Sequence, residues 1–142
     1  MKNLSDVLKA KGTTVFSIRP TDNVHDAVKL MDEKGVGALL VVTEDGLAGI
    51  LSERDVARKI TLTGKIARQT PTSEIMTDHV TCVAPDLDIH EAMAIMTEQR
   101  VRHLPVLNGK QLIGIVSIGD LVKAIIEDQK FTIEQLQNYI TS

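Results

Sequence analysis

The sequence contains no tryptophan, one tyrosine, two phenylalanines and one cysteine among its 142 residues. With so few rings, a core has to be assembled from Val, Ile, Leu, Ala and Met. The single thiol, Cys82, has no partner for an internal disulfide. Nothing near it in sequence would lower its pKa, so it reads as strand packing rather than a nucleophile. Long apolar runs are missing as well. The longest, Ala38-Leu39-Leu40-Val41-Val42, is far short of a bilayer span. The opening residues, MKNLSDVLKAKG, carry no apolar stretch of the kind a signal peptide needs. There is no excess of positive charge either. The net charge of −3 and a pI near 5.8 argue against a general affinity for nucleic acid. A soluble, cytoplasmic protein is the expectation. At 43% hydrophobic and 25% charged residues, the chain has the composition of an ordinary globular domain, or of two very small units sharing a core.

What the sequence does have is a repeat. Gly49-Ile50-Leu51-Ser52-Glu53-Arg54-Asp55 returns as Gly114-Ile115-Val116-Ser117-Ile118-Gly119-Asp120, 65 residues later. The same offset pairs Pro20 with Pro85, His25 with His90, Ala27 with Ala92, Met31 with Met96, Val36 with Val101, Leu39 with Leu104, Val41 with Val106 and Ile60 with Ile125. The chain is therefore two copies of one unit, 15–60 and 80–125. Two copies are too few for a solenoid, so they are expected to face each other about a pseudo-twofold axis.

Each copy predicts the same elements. A short β-branched strand comes first, near Val15–Ile18 and Val80–Val83, and a proline ends it. Asn23-x-x-Asp26 and Asp88-x-x-Glu91 have the form of helix N-caps. Val24, Ala27, Val28 and Met31 follow at helical spacing, as do Ile89, Ala92, Met93 and Met96. Gly35 suits the end of the first of these helices. Two strands then flank Asp45-Gly46 and Asn108-Gly109, which are hairpin turns by composition. The repeated motif opens a second helix, whose apolar face is Val56, Ala57 and Ile60 in one copy and Leu121, Val122 and Ile125 in the other. The unit is βαββα, and the fold class is α+β. A unit of about 45 residues buries too little to stand alone, which is a reason for two. Ser73-Glu74-Ile75-Met76 echoes Ser5-Asp6-Val7-Leu8, so each copy is preceded by a short capped turn. The expected segments are 1–68 for repeat 1 with its leading turn and linker, 69–126 for repeat 2, and 127–142 for a separate amphipathic helix. That last helix carries Ile133, Leu136 and Ile140 on one face and a capping box at Thr132-x-x-Gln135.

The Ser-x-x-Asp pairs have two readings. The plain one is a capping box: serine accepts from a first-turn N–H, and aspartate at the third position suits the helix dipole. The other uses the same geometry. A helix N-terminus after a strand offers free N–H groups to a phosphate, and a carboxylate one turn in can accept from two vicinal hydroxyls of a ribose. Cations favour the second reading. Arg54 lies inside the first motif, Arg100, Arg102 and His103 cluster where the other copy has Gly35, Gly37 and Ala38, and Arg58, Lys59, Lys65 and Arg68 follow the first motif.

The repeated motif, "RVRHLPV" at Arg100–Val106, "SEIMT" at Ser73–Thr77 and the βαββα order resemble the cystathionine-β-synthase (CBS) domain over roughly residues 4 to 126. The whole chain is similar to a stand-alone CBS pair, a Bateman module. That resemblance implies a regulatory module, without catalytic activity or catalytic cofactor, that binds an adenosine-containing ligand between the repeats. AMP, ADP, ATP, S-adenosylmethionine and NAD-type dinucleotides are the ligand class. It implies that Asp55 and Asp120 hold ribose hydroxyls and that Ser52 and Ser117 help seat the ribose or phosphate. Gly37, Ala38 and Leu39, with His103 and Leu104, would line adenine pockets by their backbone, together with Val15, Ser17, Thr81 and Val83 on the first strands. Arg54, Arg102 and His103 would meet phosphate. Gly119 stands where repeat 1 has Arg54, so unequal affinities, or one extended ligand using both halves, are expected. The resemblance also implies a homodimer. No effector domain is found in these 142 residues, so output is expected to pass to an unidentified effector protein or through self-association.

Two other functions stay open. The basic stretch 54–68 could bind nucleic acid, or the Ser-x-x-Asp pairs could be caps on a ligand-free dimerisation scaffold. A metal site at His25 and His90 lacks second ligands at helical spacing. No local motif proposes a catalytic triad or carboxylate pair.

Overall fold

The computed structural model describes residues 2–141. They form two compact units. One is continuous, Val15–Val80; the other is discontinuous, joining the residues up to Thr14 with those from Thr81 onward. The expected segments 1–68, 69–126 and 127–142 cut across these units. The element order is α1 (Leu4–Lys11), β1 (Ser17–Ile18), α2 (Val24–Lys34), β2 (Ala38–Thr43), β3 (Gly46–Ser52), α3 (Glu53–Val56), α4 (Ile89–Gln99), β4 (His103–Asn108), β5 (Gln111–Ser117) and α5 (Ile118–Thr141).

In the continuous unit the sheet order is β1-β2-β3, with β1 parallel and β3 antiparallel to β2. The hairpin turns where Asp45-Gly46 predicts it, and Gly46 takes a φ of 119° that a side chain would resist. The Asn23 side chain accepts from Asp26 N–H at 2.9 Å, and Gly35 closes α2 in the left-handed conformation. Val24, Ala27 and Met31 of α2 pack with Leu39, Val41 and Leu51 of the sheet in one apolar cluster. After α3, the chain widens into a π-helical turn at Ala57–Thr61 instead of continuing as the expected regular helix. Residues 72–77 then return to the sheet. Thr72 is fully buried and gives its hydroxyl to Asp22 O at 2.8 Å, and Ile50 and Thr77 exchange both backbone hydrogen bonds at 2.9 Å.

The discontinuous unit repeats the hairpin with the same register. His103 faces Ser117 as Ala38 faces Ser52, and both hairpins carry an irregularity after the fourth pair, at Val106/Leu107 and Val41/Val42. Two differences from the expected unit stand out. The strand near Val80–Val83 contracts to a single bridge from Val83 to Val106, while β1 keeps two residues. The left-handed residue ending α4 is Arg100, φ 56°, where α2 uses Gly35.

The leading helix α1 belongs to this unit. Leu4, Val7 and Leu8 are buried in the cluster built from α4, β4, β5 and α5, and each such side chain contributes about 1.5–3 kcal/mol. Leu4 N–H reaches Leu87 O at 3.0 Å and Ser5 N–H reaches Pro85 O at 2.8 Å. The turn preceding each repeat thus packs in the unit formed by the other repeat.

The tail is the clearest departure from expectation. No separate helix begins at Thr132. α5 runs unbroken for 24 residues, and Thr132 gives its hydroxyl back to Asp128 O at 3.1 Å instead of capping. The reason is local: Glu127-Asp128-Gln129-Lys130 contains no glycine or proline to stop a helix. Ser142 and Met1 lie outside the described residues.

Candidate functional site

Each unit presents its Ser-x-x-Asp pair at the junction of a strand and a helix. In the continuous unit, Asp55 N–H donates to Ser52 Oγ at 3.1 Å. Asp55 Oδ2 accepts from Ser52 N–H and from Ser52 Oγ, each at 3.0 Å. In the discontinuous unit, Asp120 N–H donates to Ser117 Oγ at 3.1 Å and Ser117 N–H donates to Asp120 Oδ2 at 2.8 Å. Both are complete reciprocal caps. Both helices are also tied to the start of the preceding hairpin, Glu53 N–H to Gly37 O at 3.0 Å and Ile118 N–H to Arg102 O at 2.8 Å. The plain reading of the motif is therefore realised in full, and it holds two half-buried carboxylates in equivalent positions.

Each carboxylate is also met by a lysine. Asp55 Oδ1 lies 3.4 Å from Lys59 Nζ and 3.5 Å from Thr77 Oγ1. Asp120 Oδ2 lies 2.5 Å from Lys11 Nζ, which also donates to Ile115 O at 2.9 Å. Burial pushes the Asp120 carboxyl up, but the Lys11 ammonium and the Ser117 donors outweigh it and hold the group below its ordinary range. Sequence reasoning did not find Lys11. The signal available was Ala124, which stands where repeat 1 has Lys59 and leaves repeat 2 without a lysine of its own there.

The other candidate residues divide between the units. Val15, Ser17, Gly37, Ala38 and Leu39 share the continuous unit with Ser52, Arg54 and Asp55, whereas Thr81, Val83, Arg102, His103 and Leu104 share the other with Ser117, Gly119 and Asp120. Leu39 and Leu104 are fully buried in their cores, so only their backbone could face a ligand. His103 pairs with Ser117 across the hairpin. Burial, with the nearby Lys11 and Arg102 charges, lowers its pKa against the pull of Asp120, so it offers a hydrogen bond rather than a positive charge near pH 7. Arg102 is exposed. The basic stretch after the first motif is largely engaged: Lys65 pairs with Glu74 at 3.2 Å, and Arg68 meets His25 at 3.4 Å. A cavity of about 120 Å³ opens between α1 and α5, with Lys11 and Asp120 in its wall. Burial raises the Cys82 thiol, as suits packing. Among the described residues, no three His, Cys, Asp or Glu side chains gather as metal ligands, and no helix is long and apolar enough to cross a membrane.

Two copies of one α+β unit, each closing a hairpin on a Ser-x-x-Asp turn, define a tandem-repeat module. The sequence model of the CBS domain matches residues 4–62 and 73–127, and the chain belongs to the CBS-domain family. Domains of this family are generally regulatory, ligand-binding and non-catalytic. Among curated proteins, the mitochondrial CBS domain-containing protein CBSX3 of Arabidopsis thaliana is 40% identical, over 96% of this chain and 71% of its own length. A solved protein with CBS domains from Burkholderia ambifaria MC40-6 is 51% identical with a TM-score of 0.87, covering 90% of this chain and 96% of its own. A hexameric CBS-CP12 protein from bloom-forming cyanobacteria is 30% identical with a TM-score of 0.78, covering 86% and 70%.

Proposed function

We propose that this chain is a non-catalytic sensor of adenosine-containing ligands, AMP, ADP, ATP or an NAD-type dinucleotide, read by the two Ser-x-x-Asp turns. The observation that carries the reading is the equivalence of Ser52/Asp55 and Ser117/Asp120. Each turn holds a carboxylate at a fixed place beside the backbone that opens a hairpin, in a chain of a family whose members bind ligands. Asp55 and Asp120 would accept from ribose hydroxyls, Ser52 and Ser117 would seat ribose or phosphate, and Arg54 and Arg102 would supply charge to phosphate. His103 would donate a neutral hydrogen bond. The response passes to an effector protein or to a change in assembly. A homodimer is the form we propose; the hexamer belongs to the CBS-CP12 relative. We place the protein in the cytoplasm, the mitochondrial location being that of the Arabidopsis relative.

Isothermal titration against AMP, ATP, NAD, NADH and S-adenosylmethionine tests this, with Asp55→Asn and Asp120→Asn beside the unaltered chain. Asparagine keeps a cap acceptor while removing the charge. Affinity that falls in either variant, with little loss of stability, supports the sensor. No binding by any of the five at millimolar concentration overturns it. One observation favours a second reading, a ligand-free scaffold: both carboxylates already have internal partners. On that reading both variants change stability alone.

A further inference from the structure

The two carboxylates are neutralised from places that the repeat does not relate. Lys59 comes from the same helical segment as Asp55, one turn on, and also donates to Ile75 O at 3.0 Å. Its counterpart in repeat 2, Ala124, is packed in the core. The cation for Asp120 comes instead from the last residue of α1, 109 positions away. Lys11 holds a two-point seat, on Asp120 Oδ2 and on Ile115 O, with the two side chains only 33% and 23% exposed. Such a pair is screened much less than one in open water.

This seat has a consequence for any ligand that uses Asp120. Oδ2 already accepts from Ser117 N–H at 2.8 Å and from Lys11 at 2.5 Å. A carboxylate oxygen offers about two lone-pair sites, so Oδ2 is full. A vicinal diol that takes both carboxylate oxygens must therefore displace one donor from Oδ2, and Lys11 is the one that can leave without opening the helix cap. At Asp55, Oδ2 is filled too, by Ser52 N–H and Ser52 Oγ at 3.0 Å each, but both donors belong to the cap itself and the hydroxyl can turn away without releasing another element. The lysine and threonine contacts to Oδ1 are long, and the lysine travels with the helix that carries the carboxylate. At Asp120, displacing the lysine releases a different element. The turn it releases ends at Gly12, which has a positive φ of 99° and makes the closing bond of α1, N–H to Leu8 O at 2.8 Å.

We propose that Lys11 is a tethered occupant of the Asp120 acceptor, a latch that a ligand's hydroxyl pair displaces, freeing the C-terminal turn of α1. This rests on the adenosine reading above. It makes the Asp120 turn the weaker of the two sites and makes α1 its output.

The test uses the full chain with Asp55→Asn, so that the heat reports Asp120, with and without Lys11→Met. AMP is the first probe, followed by ATP and NAD. Calorimetry is run beside hydrogen exchange of residues 4–12. The expected result is AMP binding about tenfold tighter in Lys11→Met. AMP should speed exchange in the last turn of α1 when Lys11 is present, whereas the methionine variant exchanges fast from the start and gains nothing further. Lys11→Arg, which keeps the charge, should behave as lysine does. Equal affinity with unchanged α1 exchange overturns the latch and leaves the sensor standing. Weaker binding in Lys11→Met overturns it too, because Lys11 then contacts the ligand. No heat with AMP, ATP or NAD in either background overturns the latch together with the use of Asp120 as a ligand site.

Discussion

Leu8 and Gly114 are in close contact: a β-carbon at Gly114 would lie 2.7 Å from Leu8 Cδ2, so a side chain there would require the leucine to shift. In the continuous unit, Gly49 meets that unit's own corresponding turn, its β-carbon falling 2.7 Å from Thr77 O and 2.8 Å from Met76 Sδ. The glycine that begins each repeated motif is therefore a packing residue. Its neighbour differs in kind, the end of a flexible side chain in one unit and backbone in the other. Gly49→Ala should cost about 1–3 kcal/mol, and Gly114→Ala less, because Leu8 can rotate. Urea midpoints of the two variants check the order, and Gly114→Ala costing more than Gly49→Ala would contradict it.

Acid should destabilise the protein in two windows. The folded pKa of His103 is lowered by burial, Lys11 and Arg102 from its ordinary 6.5. Unfolded chain therefore takes up the proton first, and stability falls as pH drops from 6.5 toward the folded value. His103→Gln should flatten that part of the curve. The Asp120 pKa is also lowered from its ordinary 3.8: burial opposes the shift, but Lys11 and Ser117 prevail. Its contribution is present above 3.8 and is lost as pH falls through the folded value. Asp88, lowered chiefly by the His90 N–H bond, titrates in the same direction, so Asp120→Asn should reduce this second component without abolishing it. Unfolding free energies from pH 8 to pH 2.5 separate the two.

The caps themselves are measurable. Ser117→Ala should cost about 0.5–2 kcal/mol, and Ser117→Gly only a few tenths. Ser52→Ala should cost at least as much as Ser117→Ala, because Ser52 Oγ also donates to Asp55 Oδ2 at 3.0 Å. Thermal melts of the variants decide this.

Thr132→Ala distinguishes a continuous α5 from a helix that begins there. A capping threonine would lose about 1 kcal/mol of helix stability on substitution. In mid-helix, the same change raises helix propensity by up to about 0.7 kcal/mol. We expect ellipticity at 222 nm to rise or hold and the melting temperature not to fall. A drop in both would mean that a helix starts at Thr132.

Much of this was legible in the sequence, for a physical reason. Caps such as Asn23 and Asp88, the turns at Gly46 and Gly109, and the reciprocal Ser–Asp pairs are signals confined to a few neighbouring residues, and the 65-residue offset doubled each of them. Contacts between distant segments left no such mark. Nothing periodic in Leu4, Val7 and Leu8 says that they pack in the core of the second repeat rather than on the repeat they precede. Lys11 was equally silent, since its role depends on where α1 docks. The capping pattern at Thr132 was present but overruled by the absence of any helix stop before it. Of the candidate site, the two turns and the cation Lys59 beside the first were legible; Lys11, brought to Asp120 from a distant helix, had to be seen in place.

The discontinuity of one unit bears on how the molecule is made. During synthesis α1 emerges before the rest of its unit, with Leu4, Val7 and Leu8 waiting for partners that are not yet translated. At roughly 5–20 residues per second, the Val15–Val80 unit is complete seconds before Gly114 and Val116 arrive. Helix α1 is thus made before the Val15–Val80 unit and buried after it. A nascent chain stalled between the two units would carry a finished domain behind a helix with its apolar face unclaimed.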